Sequence, residues 1–215
     1  MRKPKTIEED IQGVLDMSER IPGWAPPDKL TRMFNLVLET QPHRIVEIGV
    51  FGGRSLMALA VASLHLPHPC QVVGIDAWSN NEAVENMFPE VWQDEQGHLD
   101  YWEGQDLERI CEGCRHLFEE EDLMEQVTLI RGDSVSTVPL FDHIDILHID
   151  GNHTDWSSTR DVCNWVPRVR NGGFIHMDDT YWATLQATAL PMLEKRCELV
   201  ETLHGDYSRI YQKVR

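Results

Sequence analysis

A chain of 215 residues with 41% hydrophobic residues is long enough to build one sizeable core, and no low-complexity stretch points to disorder. A formal net charge of −17 argues against nucleic acid and anionic membrane surfaces as partners, because like charges repel phosphate. The opening MRKPKTIEEDIQ turns acidic without an apolar stretch and does not read as a secretory leader, and the longest apolar run, LMALAVASL, is too short for a membrane span, so a cytoplasmic protein is expected.

In chain order, IEEDIQGVLDMSERI is amphipathic, GWAPP breaks the chain, and Asp28 is placed to cap a second helix, KLTRMFNLVLET. After Pro42 the period changes. RIVEIG, QVVGID, VTLIRG, IDILHID and GFIHMDD are short β-branched runs, apolar on both faces, as in strands of a buried parallel sheet. Helical stretches separate them, at residues 55–64, 107–124, 157–166 and 182–194. The third-strand approach carries a CxxC, Cys111 and Cys114, with His116 close behind. No second ligand pair stands at zinc spacing, and five cysteines in a chain without a leader do not suggest a disulfide framework, so this reads as part of a helix. CELVET and SRIYQKV, with no helix between them, read as an antiparallel hairpin at a sheet edge. The expected fold is therefore α/β: a Rossmann-like, mostly parallel seven-stranded sheet with helices on both faces and a C-terminal antiparallel hairpin. It divides into an N-terminal helical segment, 1–41, and a main domain, 42–215. An insertion at 79–104, rich in aromatic and acidic residues, is either a lid or a surface excursion.

In such sheets ligands bind at the carboxyl ends of the strands, near the switch in strand order. The turn after the first strand reads EIGVFGGRS, with Gly49, Gly52 and Gly53. Phe51 stands where a dinucleotide fingerprint needs its second glycine, and Arg54-Ser55 lacks the lysine of a phosphate loop. A carboxylate at Glu47 would repel phosphate but suit a ligand carrying positive charge. Asp76, 23 residues beyond Gly53, falls where an acid accepts hydrogen bonds from a ribose, and Asp133 with Ser134 ends the third strand within reach of an adenine.

EIGVFGGRS, GIDAW, RGDS and IDGNH, in that order, resemble the motifs of class I S-adenosylmethionine-dependent methyltransferases, from about Pro42 to the end. The branch they look most similar to is the macrocin-type sugar O-methyltransferases of antibiotic pathways. The resemblance implies S-adenosylmethionine as cofactor, with Glu47, Gly49 and Ser55 near its amino-acid part and Phe51 and Gly52 in the same turn. It puts Asp76 on the ribose. Trp78 lies either against the adenine or in the core. It also implies that residues 21–30 and 79–104 shape the pocket of a small-molecule hydroxyl acceptor and that copies of the chain associate through them.

Asp150 ends the fourth strand and Asp178 and Asp179 end the fifth, so three carboxylates converge at one rim. Bare carboxylates so close repel, a conflict that Mg²⁺ or another divalent cation removes; otherwise one caps a helix and another faces solvent. In the family that the motifs resemble, the metal ligands match Asp150, Asp178 and Asp179, and a carboxylate base stands where this chain has Asn152. His153, next along, or water held by the metal then takes the proton, with Asp150 beside it. His148 and His176 read as core histidines by default, or as groups orienting the carboxylates. The expectation is a Mg²⁺-dependent O-methyltransferase acting on a sugar of a natural product or on a phenol. The rivals are a nucleotide-linked oxidoreductase and a methyltransferase-like module without catalysis.

Overall fold

The computed structural model describes residues 5–88 and 95–214. Two helices come first, α1 (Ile7–Ser18) and α2 (Pro27–Thr40). A capping box starts α1, with the Thr6 side chain accepting from Glu9 N and Glu9 accepting from Thr6 N at 2.8 Å. α2 begins differently from the expectation. Pro26 holds the cap position, Pro27 follows it, no side chain caps the helix, and Asp28 lies inside the first turn. Proline fits there because the N–H it lacks would have no helical partner.

The main domain then runs β1 (Arg44–Ile48), α3 (Arg54–Ser63), β2 (Gln71–Asp76), α4 (Asn80–Ala83), α5 (Glu95–Glu103), α6 (Leu107–Glu120), β3 (Val127–Arg131) and α7 (Ser134–Thr137). It continues with β4 (Ile144–Ile149), α8 (Asp155–Trp165), β5 (Val169–Met177), α9 (Ala183–Ala187), α10 (Ala189–Leu193), β6 (Cys197–Leu203) and β7 (Ser208–Lys213). The seven strands form one sheet ordered β3-β2-β1-β4-β5-β7-β6, with β7 antiparallel to both β5 and β6. The expected sheet, hairpin included, is the one that forms. The helix expected over 182–194 breaks at Thr188, φ −130°. Pro191 has no N–H for the turn before it, and its ring crowds that turn.

Each face of the sheet buries its own apolar cluster. α1, α2, α3 and α6 pack on one side through Met17, Leu30, Met33, Leu56 and Phe118. α8, α9 and α10 pack on the other through Trp165, Leu185 and Leu193. Residues 5–41 thus share a core with the sheet, each buried aliphatic adding about 1.5–3 kcal/mol. Cys111 and Cys114 lie within α6, buried against this core, while His116 faces solvent beside Glu120 at 3.1 Å.

Register places the site. Ile48 stands opposite both Ile75 and Ile149, and Ile149 opposite Met177. The residues that follow these strand ends, Gly49, Asp150 and Asp178, and Asp76 at the end of β2, therefore come level at one edge of the sheet. That edge includes the boundary between β1 and β4, where strand order reverses.

Candidate active site

The glycine turn is built by close approach. Gly49 has φ +85°, and a Cβ there would stand 2.0 Å from the Asp150 carbonyl oxygen. A Cβ on Gly52 would stand 2.4 Å from the Pro22 carbonyl oxygen. Phe51 takes a left-handed φ of +48°, uncommon for a residue with a side chain. Asp76 holds this turn in place: its Oδ2 accepts from Val50 N at 2.9 Å and Phe51 N at 2.8 Å, and its Oδ1 accepts from Trp78 N at 2.6 Å. Burial raises the Asp76 carboxyl, and these backbone donors oppose the rise. With three donors placed, about one acceptor site remains for a ligand, since a carboxylate offers about four.

Not every expected residue walls the cleft. Glu47 is fully buried beneath it, because alternation along β1 points its side chain toward α3. Ser55 Oγ donates to Glu47 Oε1 at 2.8 Å, and Glu47 Oε2 lies 3.1 Å from His148 Nδ1. Burial pushes Glu47 up to about 8 and His148 down to about 3. At neutral pH the proton therefore stays on Glu47, and the acid donates to a neutral imidazole. The expected ligand-facing carboxylate is instead a support for Ser55, which does wall the cleft. Trp78, 3% exposed, is likewise a core aromatic, and its Nε1 donates to the Phe51 carbonyl at 2.9 Å. Asp133 and Ser134 reach the wall, though Asp133 also caps α7 by accepting from Val135 N and Ser136 N at 3.0 and 3.1 Å. Ser134 Oγ donates to Asp161, a buried carboxyl pushed up to about 6 by burial.

One open cleft runs along these strand ends, from the glycine turn to the acidic rim. Both segments expected to shape an acceptor pocket contribute to its wall. Trp24 stacks on Phe51 at 5.7 Å, and Trp102 meets Phe51 edge-on at 5.3 Å. Asn152 ties the insertion down, donating from Nδ2 to the carbonyls of Ala83 and Glu85 at 3.1 and 3.0 Å. A base there would have lost that tether.

The acidic rim carries its own cations. Lys29, from α2, is fully buried; its ammonium bonds Asp178 and lies 3.4 Å from Asp150 Oδ2. Burial alone would discharge this lysine, but Asp150 and Asp178 outweigh it and hold it charged. Asp179 turns away through a left-handed φ of +50°, and its Oδ2 meets His153 Nε2 at 2.7 Å. Burial would lower His153, yet Asp179 outweighs it and lifts the imidazole to about 9. The expected base is thus an imidazolium at neutral pH. Burial raises Asp178 to about 6, with Asp150 adding and Lys29 opposing. His148 and His176 stack at 4.7 Å beneath the rim, and His176 Nε2 is bonded to Ser208 Oγ at 2.9 Å.

The expected magnesium site is not shown by this arrangement, although acidic clusters are present. Among the described residues, donor atoms within 4.8 Å of one another form two sets, His148–Asp150–Asp178 and Asp150–His153–Asp179, and neither holds all three carboxylates. Mg²⁺ demands near-octahedral oxygen ligands at about 2.0–2.1 Å. Here an ammonium already bridges two of the three acids, and a dication beside it would be repelled. The residues as arranged do not fit Mg²⁺.

Lys29 and Asp161 escaped the sequence reading. A signal for Lys29 existed: with Met33 and Val37 it lies at i, i+4, i+8 on the buried stripe of α2.

A family model described as a methyltransferase domain matches residues 46–180, well over half of the chain. The chain belongs to that family. A methyltransferase domain on a Rossmann-like sheet is thus borne out. Among curated proteins, y4gI of Sinorhizobium fredii (strain NBRC 101917 / NGR234) is 27% identical over 165 residues, covering 71% of this chain but 16% of that protein. The chain spans about a sixth of that relative's length. Among solved structures, the O-methyltransferase of Bacillus cereus in complex with SAH superposes with TM-score 0.64 at 16% identity, covering 99% of this chain and 92% of that one. The O-methyltransferase NovP gives 0.65 at 21%, covering 87% and 79%. TomG of Streptomyces achromogenes, in complex with SAM, gives 0.64 at 16%, covering 100% and 92%. These likenesses establish the shared fold. No helix among the described residues is long and apolar enough to cross a membrane.

Two outcomes follow from this geometry. Gly49→Ala should cost at least about 2 kcal/mol in urea unfolding, since both φ and the Asp150 carbonyl oppose a Cβ. Glu47→Gln should be tolerated at neutral pH, because the amide resembles the protonated acid. Wild-type Glu47 contributes most stability below its unfolded pKa near 4.5 and loses that contribution as pH rises through about 8. The variant should therefore gain on the wild type as pH rises across that window; a constant difference in unfolding free energy would refute the protonated assignment.

Proposed function

We propose that this methyltransferase is an O-methyltransferase of the macrocin-related branch, acting on a hydroxyl of a small molecule, a natural-product sugar or a phenol. One observation carries the reading. A single cleft is walled at one end by the glycine turn with Asp76 and at the other by Asp150, Asp179 and His153. The first end suits a nucleoside with a charged tail, and the second has groups that can hold and move a hydroxyl proton. The O-methyltransferase names of the structural neighbours, one bound to SAH and another to SAM, support the same reading.

When bound, S-adenosylmethionine supplies a methyl made electrophilic by its sulfonium. The chain's residues would do the rest. The N-terminus of α3, which no side chain caps, offers backbone N–H groups to the cofactor carboxylate. Asp76 accepts from the ribose, and Asp133 and Ser134 stand toward the adenine. At the acceptor end, Asp150 accepts the hydroxyl hydrogen bond and His153 takes the proton once it has released its own. In this scheme Lys29 is the lasting counter-ion of Asp150 and Asp178, and His153 serves Asp179 until it releases its proton. Phe51 and the C-terminal hairpin disfavour the oxidoreductase reading.

Calorimetric titration with S-adenosylhomocysteine should give micromolar binding, and no detectable binding would end the proposal. With an acceptor found by screening sugars and phenols, kcat should climb with pH through about 9 as His153 becomes neutral. His153→Gln should flatten that climb and lower kcat by roughly 10²–10⁴. A variant retaining the wild-type profile would remove His153 from the base role.

A further inference from the structure

The acidic rim poses an electrostatic problem that this chain solves from an unexpected direction. Asp150 and Asp178 end neighbouring parallel strands, so register alone forces their carboxylates together. Lys29 comes from α2, outside the sheet, with 0% of its side chain exposed. It does not wall the cleft; it lies on the protein side of the rim, with its ammonium on Asp178, 3.4 Å from Asp150 Oδ2 and 5.9 Å from the centre of the Tyr207 ring. Its neighbour along the chain, Leu30, and the next turn's Met33 are buried in the core, which fixes the helix that delivers it.

We propose that Lys29 is a built-in cation that takes the place of a divalent metal, so that methyl transfer by this chain is metal-independent and the lysine positions Asp150 and Asp178 for the acceptor. The inference rests on the O-methyltransferase reading of the cleft for its function, although the charge assignment itself can be read without turnover. Removing a rim carboxylate would strand a buried ammonium, and removing the lysine would leave two close carboxylates without their counter-ion. A dication could enter only by displacing an ammonium that has nowhere solvated to go. Lys29 is a positioning residue on this account, because it reaches the acceptor only through the two carboxylates that face it.

The test uses the full chain saturated with S-adenosylhomocysteine, and Mn²⁺ as the probe, followed by its electron paramagnetic resonance signal and by calorimetry. Wild-type protein should bind no Mn²⁺ at the rim, and excess chelator should leave its turnover unchanged. Lys29→Met, with the cation gone and the carboxylates exposed to each other, should bind Mn²⁺ at least about tenfold more tightly than wild type, a gain of 1.4 kcal/mol. Adding Asp178→Asn to it should abolish the gain. A purely structural lysine would not change metal affinity in this directed way. Stoichiometric Mn²⁺ binding by the wild type, turnover lost to chelator, or a folded Lys29→Met with no gain would each overturn the proposal. Should Lys29→Met fail to fold, the wild-type arms alone still decide. Failure to bind S-adenosylhomocysteine would instead strike the proposed function, and the Mn²⁺ titrations would still read the rim.

Discussion

Everything at the strand ends depends on how closely the backbone of Gly49 lies against the Asp150 carbonyl. The two residues leave β1 and β4 at the place where strand order reverses, and no side chain fits between them. That contact ties the two ends of the cleft together. On one side of it the chain turns through Val50 and Phe51, whose N–H groups Asp76 gathers. On the other it continues through Gly151 and Asn152 to His153 and the start of α8. A shift of one end is therefore transmitted to the other through backbone, with no flexible side chain to absorb it. For group transfer between two ligands this rigidity matters, since orientation can account for about 7–11 kcal/mol of a barrier.

The charges around this frame are arranged in two layers with opposite logic. Beneath the turn, Glu47 and His148 are both fully buried and both neutral, with a proton on the acid. Burial wins there because it outweighs the opposite charges nearby, Lys29 acting on Glu47 and Asp178 and Asp179 acting on His148. At the rim, burial loses. Lys29 and His153 stay charged because each sits on a carboxylate, and their partners are held by strand register and by the left-handed turn at Asp179. Buried pairs of this kind contribute little net stability, but losing one partner is costly, commonly about 3–5 kcal/mol. Such a network specifies geometry more than it stabilises the fold.

Much of this could be read before the structure. The buried strands announced themselves as β-branched runs, and strands spaced by helices leave only a parallel sheet with crossovers. Gly49, Asp76 and the three rim acids were legible because residues at strand ends converge whatever the side chains do. What the sequence hid was direction. Glu47 lies one residue from Ile48 and so faces the opposite side of the sheet, under the helix instead of into the cleft. Trp78 read either as an adenine-facing ring or as a core aromatic, and with its left-handed backbone it lies in the core. The magnesium expectation left out Lys29 for a related reason. Three acids at one rim demand positive charge, but no rule of spacing says which distant element provides it.

That element, α2, also links charge to shape. The same short segment that carries Lys29 into the rim begins just after Trp24, whose ring stacks on Phe51 at the mouth of the cleft. Phe51 in turn donates its backbone N–H to Asp76. Acceptor-facing aromatic surface, the cofactor-side turn and the cation of the rim therefore move as one unit if α2 shifts. The N-terminal segment is thus more than a cover over a finished site. It completes the site's electrostatics, so a chain cut before the main domain would keep the sheet's motifs yet leave Asp150 and Asp178 facing each other without their counter-ion.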